Sequence, residues 1–182
     1  RWLGHRSDLF NIAIQAGAIL AVVLIYRRRL WGLLSAFAGR DRAAPYDPLG
    51  IDISPKQARE YGFKLLLAFA VTAAGGLLVK ALGWQLPDTV QPIAWALIIG
   101  AVWMVVAEHM AAKRAAREGE RIEISWTTAV LVGIAQVVAG VFPGTSRSAA
   151  AIFMAMLLGL SRRAAAAEFV FLVGIPTMFA AS

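Results

Sequence analysis

Residues 124–163 read ISWTTAVLVGIAQVVAGVFPGTSRSAAAIFMAMLLGLSRR: two apolar arms on either side of the polar string Pro143-Gly144-Thr145-Ser146-Arg147-Ser148. Crossing about 30 Å of hydrocarbon takes roughly 20 apolar residues. The first arm, 124–142, has 19 residues and the second, 149–160, only 12, too short to cross. Basic residues give the sidedness. Arg27, Arg28, Arg29, Arg40, Arg42, Lys56 and Arg59 lie in one connection, and Lys113, Arg114, Arg117 and Arg121 in another. The turn between them, 80–92, carries only Lys80. By the positive-inside rule the two basic connections share the cytoplasmic side, and Arg162-Arg163 belongs there too. A single crossing by 124–160 would put that arginine pair on the wrong side. The pattern therefore predicts a re-entrant helical hairpin over 124–160, with 143–148 at its tip inside the membrane.

Working outward, apolar runs at about 10–26, 61–79, 93–107 and 168–182 read as spans of a single membrane domain. Ala73-Ala74-Gly75-Gly76 offers a small-residue face for close helix packing. Strand alternation is lacking, so the expected fold is an all-α integral membrane protein, a transmembrane helix bundle. Composition agrees: 59% of the 182 residues are hydrophobic and 16% charged, against about 45–50% and 25% in a soluble domain. That excess excludes a water-soluble globule and a disordered chain. The net charge of +7 is not the mark of a nucleic-acid binder, because the basic residues fall in short clusters between apolar runs. There is no Cys, which removes disulfides and thiolate chemistry. The opening Arg1-Trp2 and the apolar end at Ser182 read as an internal piece of a longer membrane protein.

Between Glu123 and Arg162 the only charge is Arg147. An arginine at the bilayer centre costs roughly 2.5–3.5 kcal/mol, so such residues face a polar cavity. Pro143 and Gly144 break the first arm, and Thr145, Ser146 and Ser148 supply hydroxyls. A second helix starting near Ser146 turns its unpaired N–H groups toward the tip. A helix N-terminus with hydroxyls and a guanidinium is an anion site, most naturally for phosphate. The plainer alternative is a turn whose Arg147 snorkels to lipid headgroups.

Gln136 followed by Phe142-Pro143-Gly144-Thr145-Ser146-Arg147-Ser148 resembles the second signature of the undecaprenyl-diphosphate phosphatase family, the bacitracin-resistance proteins. Further stretches are similar to that family: Phe10-Asn11, Ile14-Gln15, Gly17-Ala18-Ile19-Leu20, Leu158-Gly159-Leu160-Ser161-Arg162, Ala167-Glu168-Phe169 and Ile175-Pro176. The resemblance implies half of an inverted-repeat, transporter-like fold in the bacterial inner membrane. It implies hydrolysis of undecaprenyl diphosphate to the monophosphate and inorganic phosphate, with the chemistry on the extracytoplasmic side. This recycles the lipid carrier for peptidoglycan synthesis and gives bacitracin resistance. It also implies a divalent cation, Mg²⁺ or Ca²⁺, held mostly by a first hairpin lying before Arg1. Partners are then the polyprenyl diphosphate and membrane lipids, not nucleic acid, with oligomeric state open and a homodimer among the options. Carried over, Arg147 and Ser146 are the catalytic pair. Gly144, Thr145, Ser148 and Gln136 bind substrate, and no residue here is a metal ligand. Ala149 departs from the glycine common at that place in the family.

Other chemistry-bearing residues take plainer readings. His5 and His109 are placed at the interface, Glu168 near a helix N-terminal dipole, and the charges over 113–123 on a solvated face. The rival function is a membrane transporter or flippase for an anionic lipid or solute, since broken helices with a buried arginine also hold transported anions.

Overall fold

The computed structural model describes residues 8–38, 54–83, 90–119, 121–142 and 145–180. His5, Pro143, Gly144 and the centres of both inter-span connections lie outside the described residues. Every described element is an α-helix: α1 Asp8–Phe37, α2 Pro55–Ala81, α3 Val90–Glu118, α4 Trp126–Val141, α5 Arg147–Leu157 and α6 Arg163–Ala180.

Local chemistry accounts for where the helices begin and end. Ser54 caps α2, accepting from the Gln57 N–H, while the Gln57 side chain accepts from the Ser54 N–H. This reciprocal box, with Pro55 at the first helical position, starts α2 well before the apolar run at Tyr61. α1 runs on through Arg27, Arg28 and Arg29 to Phe37. Pro92, read as a breaker, sits in the first turn of α3, where its missing N–H has no intrahelical partner to lose. Pro176 lies inside α6, and Thr177 Oγ1 donates to the carbonyls of Gly174 at 2.8 Å and Val173 at 3.2 Å there.

Small residues set the spacing between helices. A Cβ on Gly133 of α4 would stand 2.8 Å from the Ala68 carbonyl oxygen of α2, and one on Gly75 2.6 Å from a Val137 methyl. Of the four small residues 73–76, Gly75 is thus the one pressed against α4, whereas Gly76 faces open space. Thr72 crosses the same seam, its Oγ1 3.3 Å from the Gly133 carbonyl oxygen. A shared core joins Ala68 of α2, Val132 of α4, Phe153 and Met156 of α5 and Phe169, Val170 and Val173 of α6. By contrast α3 leaves Trp95, Leu97, Ile98, Ile99, Val102 and Val105 exposed. Two helical stretches, Lys56–Ala81 and Ile93–Glu118, are each 26 residues long and apolar enough to cross a bilayer, with almost none of that surface buried in the chain. A soluble protein would have to bury it.

The basic ends of the helices lie together. Arg59 Nε donates to the Ala36 carbonyl at 2.7 Å, joining the end of α1 to the start of α2. Arg163 at the start of α6 pairs with Glu108 of α3. Arg121, before α4, and Ser161, after α5, are linked backbone to backbone at 3.0 Å, so the two feet of the α4–α5 hairpin stand side by side.

Candidate functional site: the tip of the α4–α5 hairpin

α5 begins at Arg147 because Ser146 takes an extended conformation and turns its hydroxyl back to accept from the Ala149 N–H at 3.3 Å. That is an N-cap, and it fixes the hydroxyl at the positive end of the helix dipole. The Ser148 hydroxyl stands 3.3 Å from that of Ser146. Thr145 precedes them, its N–H donating to the Phe142 carbonyl at 3.3 Å across the bend. Thus Thr145, Ser146, Arg147 and Ser148, named from sequence alone, come together at one helix N-terminus. Gly144, named with them, lies outside the described residues.

Arg147 differs from its expected setting. The sequence puts its guanidinium inside the membrane, facing a polar cavity; here the residue is exposed, as is Ser146. Its methylene stem lies along α4, with Cδ 4.0 Å from where a Cβ on Gly140 would stand. Among the described residues Arg147 has no ion-pair partner, so its charge is presented outward from the tip.

Gln136 is buried at 6% exposure on α4, one turn below Gly140 on the same helix face. It makes no hydrogen bond to another described side chain or carbonyl. Among the described residues no three His, Asp or Glu side chains converge to hold a metal ion. His109 is exposed on α3.

Glu168 does not sit where sequence reasoning put it. It is the sixth residue of α6, 3% exposed, and its Oε1 is 2.8 Å from Arg29 Nε of α1. The Tyr61 hydroxyl of α2 lies 3.5 Å from the same oxygen, and the Arg29 guanidinium stacks 4.8 Å over the Tyr61 ring. Arg29, read as part of the basic connection after the first span, turns inward because α1 continues helically and carries it onto the face toward α6. Neither residue shares a run or a spacing with the other, so no sequence signal pairs them.

Fold and tip together define a helical membrane protein with a cationic, hydroxyl-lined helix N-terminus at the bend of a short hairpin. The family model of the bacitracin resistance protein BacA matches residues 1–182, and the chain belongs to that family. It is 59% identical over 182 residues to an undecaprenyl-diphosphatase of Xanthomonas oryzae pv. oryzae (strain PXO99A), covering 100% of this chain and 61% of the relative. The undecaprenyl-diphosphatase of Xanthomonas campestris pv. campestris (strain 8004) is 58% identical over 100% of this chain and 62% of its own length. That of Rhizobium johnstonii (strain DSM 114642 / LMG 32736 / 3841) is 57% identical over 100% of this chain and 61% of the relative. The chain thus spans about 61% of the length of the curated relatives it matches.

Proposed function

We propose that this chain supplies the phosphate-clamping half of an undecaprenyl-diphosphate phosphatase. The whole protein would hydrolyse undecaprenyl diphosphate to undecaprenyl phosphate and inorganic phosphate, recycling the carrier lipid for peptidoglycan synthesis. The observation that carries the reading is the start of α5: a capped N-terminus with Ser146, Arg147 and Ser148 in one turn. Phosphoryl transfer asks the protein chiefly for positioning and charge stabilisation. The unpaired N–H groups of α5 and the Arg147 guanidinium neutralise the diphosphate oxygens, and the Ser146 and Ser148 hydroxyls orient them. The Thr145 hydroxyl supports them, Gly144 lets the backbone approach the headgroup, and Gln136 offers a polar group from the α4 wall.

The α4–α5 unit is read as re-entrant on two supports. Its feet are joined at Arg121 and Ser161. With 16 and 11 residues, its arms rise only about 24 Å and about 16 Å, short of the roughly 30 Å core. With the basic end in the cytoplasm, the tip points toward the opposite face, so the chemistry is placed on the extracytoplasmic side of the inner membrane. The helices are taken as half of an inverted-repeat, transporter-like scaffold. A divalent cation, Mg²⁺ or Ca²⁺, enters only as a component held elsewhere in the whole protein, since the described residues provide no ligand set and no step here runs through it. Oligomeric state does not enter either: every group invoked at the tip lies on one chain.

The test is phosphate release from undecaprenyl diphosphate by the whole protein in detergent with Mg²⁺ or Ca²⁺ present. Arg147→Ala is expected to lose at least about 100-fold in kcat/KM, the scale of removing one preorganised charge-stabilising group. Arg147→Lys, a point charge without the planar fork, should fall between. An undiminished rate in Arg147→Ala, or lipid movement without bond cleavage by the native protein, overturns the reading.

A further inference from the structure

Glu168 and Arg29 carry opposite charges into the buried contact between α6 and α1, and the hydrolysis proposed above uses neither. Their side chains are 4% and 10% exposed. Taking two such charges out of water costs several kcal/mol each, and the mutual attraction often does no more than balance it. Net stability is therefore a poor account of the pair. Geometry is a better one.

The Glu168 carboxylate is addressed from two directions, by Arg29 of α1 at 2.8 Å and by Tyr61 of α2 at 3.5 Å. Rotating α6 by one residue, about 100°, would carry the carboxylate away from both. The pair thus sets the rotation of α6 against α1 and α2. The next residue, Phe169, is fully buried, meets the Tyr61 ring edge-on at 5.7 Å, and shares its core with Val132 of α4 and Phe153 and Met156 of α5. The setting of α6 therefore passes directly to the hairpin.

We infer that Glu168 is a positioning residue: its ion pair with Arg29, braced by Tyr61, holds the α4–α5 hairpin in the orientation that aims Arg147. This rests on the reading of Arg147 as the phosphate clamp. The lever is long. α5 spans 11 residues, about 16 Å, so a tilt of about 4° at its base moves the tip about 1 Å, and a misplacement of about 1 Å costs on the order of 100-fold in rate.

The experiment uses the whole protein with Glu168→Gln, Arg29→Glu, Glu168→Arg and the exchanged pair Arg29→Glu with Glu168→Arg. Two quantities are read: kcat and KM for phosphate release, and the distance distribution between spin labels on Ile25 of α1 and Ala150 of α5. Glu168→Gln is expected to lower kcat at least tenfold with KM within threefold, and to broaden the distribution. The exchanged pair should recover most of both, since opposite charges again face each other. A residue serving stability alone would lower the folded fraction and leave the distribution of the surviving molecules unchanged.

If Glu168→Gln does not fold, Tyr61→Phe removes only the hydroxyl contact and should lower kcat about threefold with a smaller broadening. A native kcat and a native distribution in the variant that folds overturn the inference, as does an exchanged pair no better than its single changes. Arg147→Ala separates the two claims. If it keeps full activity, the clamp reading fails; if it is inactive while Glu168→Gln is native, only the positioning role fails.

Discussion

Arg114 of α3 donates from Nη2 to the Leu157 carbonyl at 3.2 Å and from Nη1 to the Met156 carbonyl at 3.3 Å, closing the C-terminus of α5 from a neighbouring helix. The helix's own ending is a Schellman turn: Leu160 N–H bonds the Ala155 carbonyl and Gly159 N–H that of Met156. Arg114 adds a positive charge at the negative end of the dipole and takes the Leu157 carbonyl that the turn leaves over. The two ends of α5 thus have distinct attachments, Arg114 at the foot and the Ser146 cap at the tip.

Arg114→Ala should destabilise the whole protein by about 1–3 kcal/mol, the cost of leaving partly buried carbonyls without a donor. Arg114→Lys, with one donor group in place of two, should recover part of it. Thermal unfolding in detergent reads both.

Gly133→Ala should cost about 1–3 kcal/mol, because the new methyl meets the Ala68 backbone carbonyl, which cannot yield without separating α2 from α4. Gly76→Ala has open space around it and should be neutral or stabilising by about 0.5–1 kcal/mol, the helix-interior preference for alanine. The contrast between the two in melting temperature tests the α2–α4 seam.

Gly159 holds φ +130° at the end of α5. Gly159→Ala should cost about 1 kcal/mol or more, since a Cβ is strained there whatever the surrounding space. Unfolding in detergent checks it, with Gly76→Ala as the unstrained control.

Ser146 caps α5, and under the proposed function its hydroxyl also contacts the diphosphate. Ser146→Ala should cost about 1 kcal/mol of stability through loss of the cap and also weaken phosphate-ester binding. Ser146→Asp keeps a capping oxygen and suits the dipole, so stability should hold, while its negative charge repels the diphosphate and raises KM at least tenfold. Melting temperature and KM measured on both variants distinguish the cap from the ligand contact.

Much of this architecture is legible in a single chain, for reasons that can be named. The long apolar helices α2 and α3 are legible because uncharged runs of that length suit a bilayer, and the break between α4 and α5 because the polar Pro143-Gly144 string interrupts two apolar helical arms. Ser146, Arg147 and Ser148 are contiguous, so their meeting at one helix N-terminus needs only local capping. The start of α2 is also legible, in Ser54-Pro55-Lys56-Gln57, six residues before the apolar run that begins at Tyr61. Hydropathy is blind to a capping box whose residues are polar.

The BacA signature and the helical, membrane-seeking character of the chain follow from order and composition, which act through local geometry and transfer to lipid. The partnership of Arg29 with Glu168, the inward turn of Arg114 onto α5, the tight place of Gly133 and the outward exposure of Arg147 follow from how the described helices rotate and settle against one another. Those rotations are set by packing summed over many distant contacts. A charge reveals its partner only when the helix beneath it has been turned to face one.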